Sequence, residues 1–158
     1  MPDLSRILKA DTPLTLAQVA RGAQPLVMAD LARASSGRAV FIAPDDAAMR
    51  GIVDAAAFFA PELEVIEFPA WDSLPYDRAS PALSISARRL AALFRLQAGK
   101  AKAQLVVTTA NAVLQRVLTP FRIRESVREF KPGIEIGRES LSLLLQKQGY
   151  SRTDTVID

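Results

Sequence analysis

The chain has 158 residues, a net charge of +3 and 49% apolar side chains, enough to bury the core of one domain, or of one domain and part of a second. It contains no Cys and no His. This excludes disulfide scaffolds, thiolate metal sites and cysteine nucleophiles, and removes the commonest general base and metal ligand. A metal site would need carboxylates alone, and none cluster at ligand spacing; Asp45-Asp46 reads as a helix start. The first 18 residues scatter their charges and hold no apolar leader segment, and no apolar run nears the ~18 residues that span a bilayer. A cytoplasmic protein is expected.

In chain order, Pro25 to Ala34 reads as a helix with Val27, Leu31 and Ala34 on one face, ended by Ser35-Ser36-Gly37. Ala39 to Ala43 is a continuous apolar run, as in a strand covered on both faces. Pro44-Asp45 then caps a helix with Met49, Ile52, Val53 and Ala56 at i, i+3, i+4 and i+7, stopped by Pro61. Leu63 to Phe68 is a second strand. The Pro-rich turn Trp71 to Asp77 leads to Ser80-Pro81, read as the start of a helix to Ala98 that buries Leu83, Ala87, Leu90, Ala91 and Phe94, with Gly99 ending it. Gln104 to Thr109 is a third strand, followed by a helix over about 110–117.

Strands alternating with helices of this length predict an α/β fold: a three-layer, Rossmann- or P-loop-like parallel sheet with helices on both faces. The character changes at Thr119-Pro120, so the α/β domain is placed at 1–120 and a partial small α+β domain at 121–158. In that second piece Arg122 to Phe130 alternates as a half-exposed strand, and Lys131-Pro132-Gly133 is a turn. A helix over Gly137 to Gln148 turns Leu141, Leu144 and Leu145 inward, Gly149 ends it, and Ser151 to Ile157 begins another strand. Fewer than 40 residues without a disulfide or metal cannot bury a core alone. Either this piece packs on the first domain or the chain is a fragment cut inside the second.

Charge is uneven. Residues 1–77 carry six basic and eleven acidic side chains, residues 78–124 nine basic and none acidic, and residues 125–158 five and six. The acid-free span could meet phosphates or an acidic protein, or its cations could pair with acids elsewhere in the fold. Arg88, Arg89 and Arg95 are candidates for a basic face on one helix. Arg122, Arg124 and Arg128 would make a stripe on the expected strand, diluted by Glu125 and Glu129. Trp71 and Tyr76 could stack on a base, or pack a long loop onto the core.

A nucleotide grip after the first strand needs glycines, free helix N–H groups and Gly-Lys-Ser/Thr. The corresponding stretch, Leu16 to Pro25, offers Gly22 alone, and Pro25 donates no N–H. Gly99-Lys100 is followed by Ala101. No cofactor site is expected in this degenerate loop. Without His, no nucleophile–base pair can be assembled, so no catalytic residue is assigned.

The run Phe68-Pro69-Ala70-Trp71-Asp72-Ser73-Leu74-Pro75-Tyr76-Asp77, then Ser80-Pro81, then Ile85 to Leu93, resembles the N-terminal, UvrB-like region of the bacterial transcription-repair coupling factors (the Mfd family). Phe41 to Asp45, Asn111 to Arg116 and Leu143 to Val156 around Gly149-Tyr150 support the likeness. The string W-[DE]-x-L-P-Y-[DE] followed by S-P is its most specific part. The resemblance implies a large DNA translocase that displaces stalled RNA polymerase and recruits UvrA in transcription-coupled nucleotide excision repair. ATP and magnesium would act in a motor far downstream. This part would be non-catalytic, docking UvrA through a small inserted domain and packing on other domains of the same protein. The degenerate loop fits that picture, and the short Pro75–Ser80 link leaves no room for the DNA-clamping hairpin of UvrB. By the family pattern Lys131 to Asp158 would be half of the UvrA-binding domain. The strongest contact arginines would lie beyond Asp158, with Arg138, Lys147 and Arg152 bordering that surface. The rival readings are a nucleic-acid-binding domain using the basic span 78–124, and a free-standing α/β enzyme.

Overall fold

The computed structural model describes residues 4–35, 37–73, 80–98, 103–147, 150 and 152–153. The chain divides into two compact units, Met1–Leu118 and Thr119–Asp158.

The first unit is an α/β layer structure. After a short helix α1 (Leu4–Leu8) and a 3-10 turn (Arg21–Ala23) come α2 (Gln24–Ala34), β1 (Arg38–Ala43), α3 (Asp46–Phe59), β2 (Glu64–Phe68), α4 (Leu83–Gln97), β3 (Gln104–Thr109) and α5 (Ala110–Leu114). The three strands are parallel in the order β1-β3-β2. Each crossover is a helix, as parallel pairing requires. β3 sits in the middle and every one of its residues is buried, which is why Leu105, Val106 and Val107 read as an unbroken apolar run.

Helices α2 and α3 cover one face of the sheet. Ala29, Ala32, Met49, Ile52 and Ala56 pack there with Ala43, Leu105 and Val107. The buried side of α2 is thus Pro25, Ala29 and Ala32 rather than the expected Val27, Leu31 and Ala34, with Ala34 exposed. Alanines let α2 approach its neighbours closely, and the larger side chains sit at the margin. Asp45 caps α3, accepting a hydrogen bond from the Ala48 amide at 2.7 Å.

Helix α4 covers the other face through Ala92, Leu93 and Leu96, over Ile66, Phe68 and Val106. It starts at Leu83, three residues after the expected Ser80, and its N-cap Ala82 has no side chain to cap with. Its buried side is Arg89 and Ala92; of the expected apolar set Leu83 is 87% exposed and Ala87 and Ala91 are exposed, while Leu90 and Phe94 are half-buried. The apolar side of α4 packs on β2 and β3. Val40 and Ile42 of β1 project on that same side and stay 53% and 54% exposed, so β1 is covered on one face and bare on the other, against the expectation of two covered faces.

The second unit holds α6 (Pro120–Ser126) and α7 (Arg138–Lys147). The expected strand from Arg122 does not form. Thr119 accepts from the Arg122 amide at 3.4 Å, and Pro120 occupies the first turn, so a Thr-Pro helix start overrides the alternation of RIRESVREF. The Lys131-Pro132-Gly133 turn is present, with Gly133 at φ 88 and the Ile134 amide donating to the Lys131 carbonyl. Leu141, Leu144 and Leu145 are the less exposed side of α7, yet nothing on that helix is buried. Gly99, Gly149 and most of Ser151 to Ile157 lie outside the described residues. Among the described residues no helix is long and apolar enough to cross a membrane.

Candidate functional site

In open parallel α/β sheets, ligands meet the carboxyl ends of the strands. Two features lie there. One is a cavity of 630 Å³ beside β1, walled by Arg21, Gly22, Gln24, Asp45 and Gly51 over an apolar floor that includes Phe41. This is where the Leu16–Pro25 loop runs. Gln18 holds a left-handed φ of 60, the 3-10 turn passes straight into α2, and Pro25 stands in the first turn of that helix and is buried. The wall offered by α3 is already negative: Asp45 takes the Ala48 amide, and Asp46 follows in the first turn. The charged side chains of the lining are thus Asp45, which takes the Ala48 amide, and Arg21 of the 3-10 turn.

The second feature is Arg89, only 2% exposed. Its guanidinium lies over the Phe68 ring at 4.2 Å and the Trp71 ring at 4.4 Å. It donates to the Pro69 carbonyl at 2.5 Å and to Gln115 Oε1 at 3.1 Å. Gln115 Oε1 also accepts from the Trp71 amide at 3.0 Å. Burial pushes the Arg89 pKa down from its ordinary value. Asp72 accepts from the Ala82 amide at 3.2 Å, supplying from ten residues upstream the cap that Ala82 lacks. Trp71 therefore packs its turn onto the domain. Tyr76, its expected companion, lies outside the described residues.

The three arginines expected on one basic face part company. Arg89 is interior. Arg88 pairs with Glu67 at 2.5 Å, and Arg95 pairs with Glu64 at 2.9 Å while donating to the Val65 carbonyl at 3.2 Å. The cations of α4 thus find their acids on β2. Arg122, Arg124 and Arg128 form no stripe. Residues two apart on a helix point about 200° apart; Arg122 pairs with Glu125 at 3.5 Å, and Arg128 lies past the end of α6.

The opposite, amino-terminal end of the sheet carries a network that the sequence did not announce. Arg38, Gln104 and Glu64 open the three strands and stand in one register row. Arg38 Nε donates to Gln104 Oε1 at 2.8 Å, and Gln104 Nε2 donates to Glu64 Oε2 at 2.7 Å. Arg38 also reaches the Leu96 carbonyl in the last turn of α4 at 3.0 Å, where a cation is favoured. The Gln104 and Arg95 bonds hold the Glu64 pKa below its ordinary value, against its partial burial.

In the second unit Arg138 opens α7 and Lys147 closes it, about 13 Å apart along the axis at 1.5 Å per residue. Both are exposed, as is Arg152. Among the described residues no group of three or more carboxylates is placed to hold a metal.

No family model matches the chain. Individual relatives do. It is 27% identical over 143 residues to the transcription-repair-coupling factor of Haemophilus influenzae, covering 90% of this chain and 12% of that protein. The protein of the same name from Escherichia coli is 26% identical over 151 residues, covering 96% of this chain and 13% of its own length. The one from Myxococcus xanthus is 31% identical over 140 residues, covering 84% and 11%. The chain thus spans about an eighth of the length of the curated relatives it matches. Through this likeness along most of its length, the chain is a relative of the bacterial transcription-repair coupling factors.

Proposed function

We propose that this chain serves a transcription-repair coupling factor as a non-catalytic docking module in transcription-coupled nucleotide excision repair. It would help recruit UvrA through its second unit and pack its α/β unit on other parts of the same protein. The whole protein would use ATP and magnesium to displace stalled RNA polymerase along DNA; this chain would bind neither cofactor. The observation that carries the reading is the bare apolar side of β1, where Val40 and Ile42 are half exposed in a parallel sheet. Parallel strands are ordinarily covered on both faces, so this side is built to be packed against. The second unit supports the same reading: Phe130, Ile134, Leu143 and Tyr150 are exposed, an apolar load that a further piece of protein would cover. The carboxylates of Asp45 and Asp46 at the start of α3, and Pro25 at the start of α2, favour a module without nucleotide.

The rival nucleic-acid reading of residues 78–124 is weakened, since Arg88 and Arg95 already hold acids and Arg89 is interior. The test is calorimetric titration of UvrA against this chain and against a form extended by about 60 residues, enough to complete a small domain. Binding by the longer form alone supports docking through the completed second unit. Binding by neither form sinks UvrA as the partner. A parallel ATP titration is expected to show no magnesium-dependent binding by this chain, and clear affinity would overturn the non-nucleotide assignment.

A further inference from the structure

Strand β2 is an edge of the sheet: among the described residues it pairs with β3 alone. The Glu64 amide donates to the Ala103 carbonyl at 3.4 Å, and the Phe68 carbonyl accepts from Thr108 Oγ1 at 2.9 Å. Backbone groups alternate sides along a strand. Glu64, Ile66 and Phe68 therefore turn theirs towards β3, and Val65 and Glu67 turn theirs outward. An outward row of N–H and C=O groups is a template for another chain.

Two arginines of α4 reach down to this row. Arg95 donates to the outward Val65 carbonyl at 3.2 Å while paired with Glu64, and Arg88 pairs with Glu67 at 2.5 Å. The spacings match: seven positions on a helix span about 10.5 Å, and the three from Glu64 to Glu67 on a strand span about 10 Å. Both arginine side chains stay about half exposed, so these pairs add little to stability. Their position matters more than their strength. A groove of 280 Å³, lined by Val53 of α3, by Glu67 and by both arginines, lies at the same edge.

We propose that the β2 edge is a latent pairing surface for the β2 edge of a second copy, and that Arg88 and Arg95 keep it shut. The edge is self-complementary. Laid antiparallel about Ile66, Val65 of each copy stands opposite Glu67 of the other, and each such pair exchanges both of its N–H···O bonds. Every outward backbone group of Val65 and Glu67 is then used. Arg95 withholds the Val65 carbonyl, which removes half of those bonds. The same register sets Arg88 of one copy beside Arg95 of the other, and like charges at that distance oppose the approach.

Sedimentation velocity and hydrogen exchange of the 158-residue chain test this. The first variant is Arg95→Ala. The second is Arg88→Ala/Glu67→Gln/Arg95→Ala, which removes the ion pair as a unit. The third carries Glu67→Pro in place of Glu67→Gln, deleting an outward N–H that β3 does not use. Self-association should strengthen roughly tenfold in Arg95→Ala and further in the second variant. The amides at positions 65 and 67 should gain protection as protein concentration rises. The third variant should return to the association of the parent chain; if circular dichroism shows it unfolded, exchange at 65 and 67 in the first two decides alone. Unchanged association in both of those would overturn the proposal. So would association gained without protection at 65 and 67, because another surface would then be pairing. Concentration-dependent protection of both amides in the parent chain would show that the arginines shut nothing.

Discussion

The two ends of the sheet each organise themselves around arginine, by opposite means. At the amino-terminal end, Arg38 and Arg95 converge on Glu64 and on Gln104, within reach of water. At the carboxyl-terminal end, Arg89 is interior and its partners are two rings, a carbonyl and an amide oxygen. The first arrangement depends on a titratable carboxylate and is weakened by salt. The second depends on packing and exclusion of water. The difference teaches that the first end joins the three strands to one another, whereas the second joins a connecting segment to the layer above it. Damage at the first should be felt by the whole unit, and damage at the second locally.

The largest effect is expected at Gln104, which is buried and whose amide uses both ends, on Arg38 and on Glu64. Gln104→Ala should cost about 2–3 kcal/mol in urea unfolding followed by circular dichroism, because two charged groups lose a buried partner. A cost within error of zero would break the claim that this row joins the strands. Arg89→Ala should cost less globally, about 1–2 kcal/mol, because the loss is capped by the free energy of a local opening. Here the Trp71 fluorescence midpoint should fall at lower urea than the dichroism midpoint; coincident midpoints would erase the contrast between the ends. Asp72→Ala removes a borrowed helix cap and should cost about 0.5–1 kcal/mol, with lost protection confined to the start of α4.

The smallest effect is one of pH. The folded-state pKa of Glu64 lies below its unfolded value. Its contribution is therefore complete above the usual glutamate value of about 4.3, and is lost as pH falls through the lower folded value. Acid titration of the parent chain against Glu64→Gln should show the two stabilities converging by a few tenths of a kcal/mol in that window. The fluorescence of Trp71 should not follow, since no carboxylate among the described residues clasps Arg89. A Trp71 transition tracking the titration of Glu64 would show the two ends to be coupled.

Much of the α/β unit was legible in the sequence. The continuous apolar run Ala39 to Ala43 marked β1, Leu63 to Phe68 and Gln104 to Thr109 were read as the strands they are, and Asp45 with the period of Met49, Ile52 and Ala56 marked α3. The misreadings share a cause. The sidedness of α4 was assigned by sending charge outward, but Arg89 is interior because two aromatic rings wait for it from β2 and its turn. RIRESVREF reads as a strand by alternation, while the cap that makes it a helix lies just before it, at Thr119-Pro120. The bare side of β1 follows from the seat of α4 over β2 and β3, which no local pattern reveals. The acids that pair with Arg88 and Arg95 lie 21 and 31 positions upstream, on β2, so the charge of residues 78–124 looked free when read in one dimension. Gln115 carried no signal at all.

The strand order has a consequence for synthesis. Among the described residues β1 and β2 come first, yet they are not neighbours in the sheet; each pairs with β3, which follows both. Until Thr109 has left the ribosome, neither earlier strand has a hydrogen-bonding neighbour, and α2 and α3 have no sheet to settle on. The nascent chain must therefore carry two unpaired strands from Phe68 until Thr109 has followed. A pause before Gln104 would lengthen that exposure, whereas a pause just after Thr109 would leave every strand of the sheet available to pair.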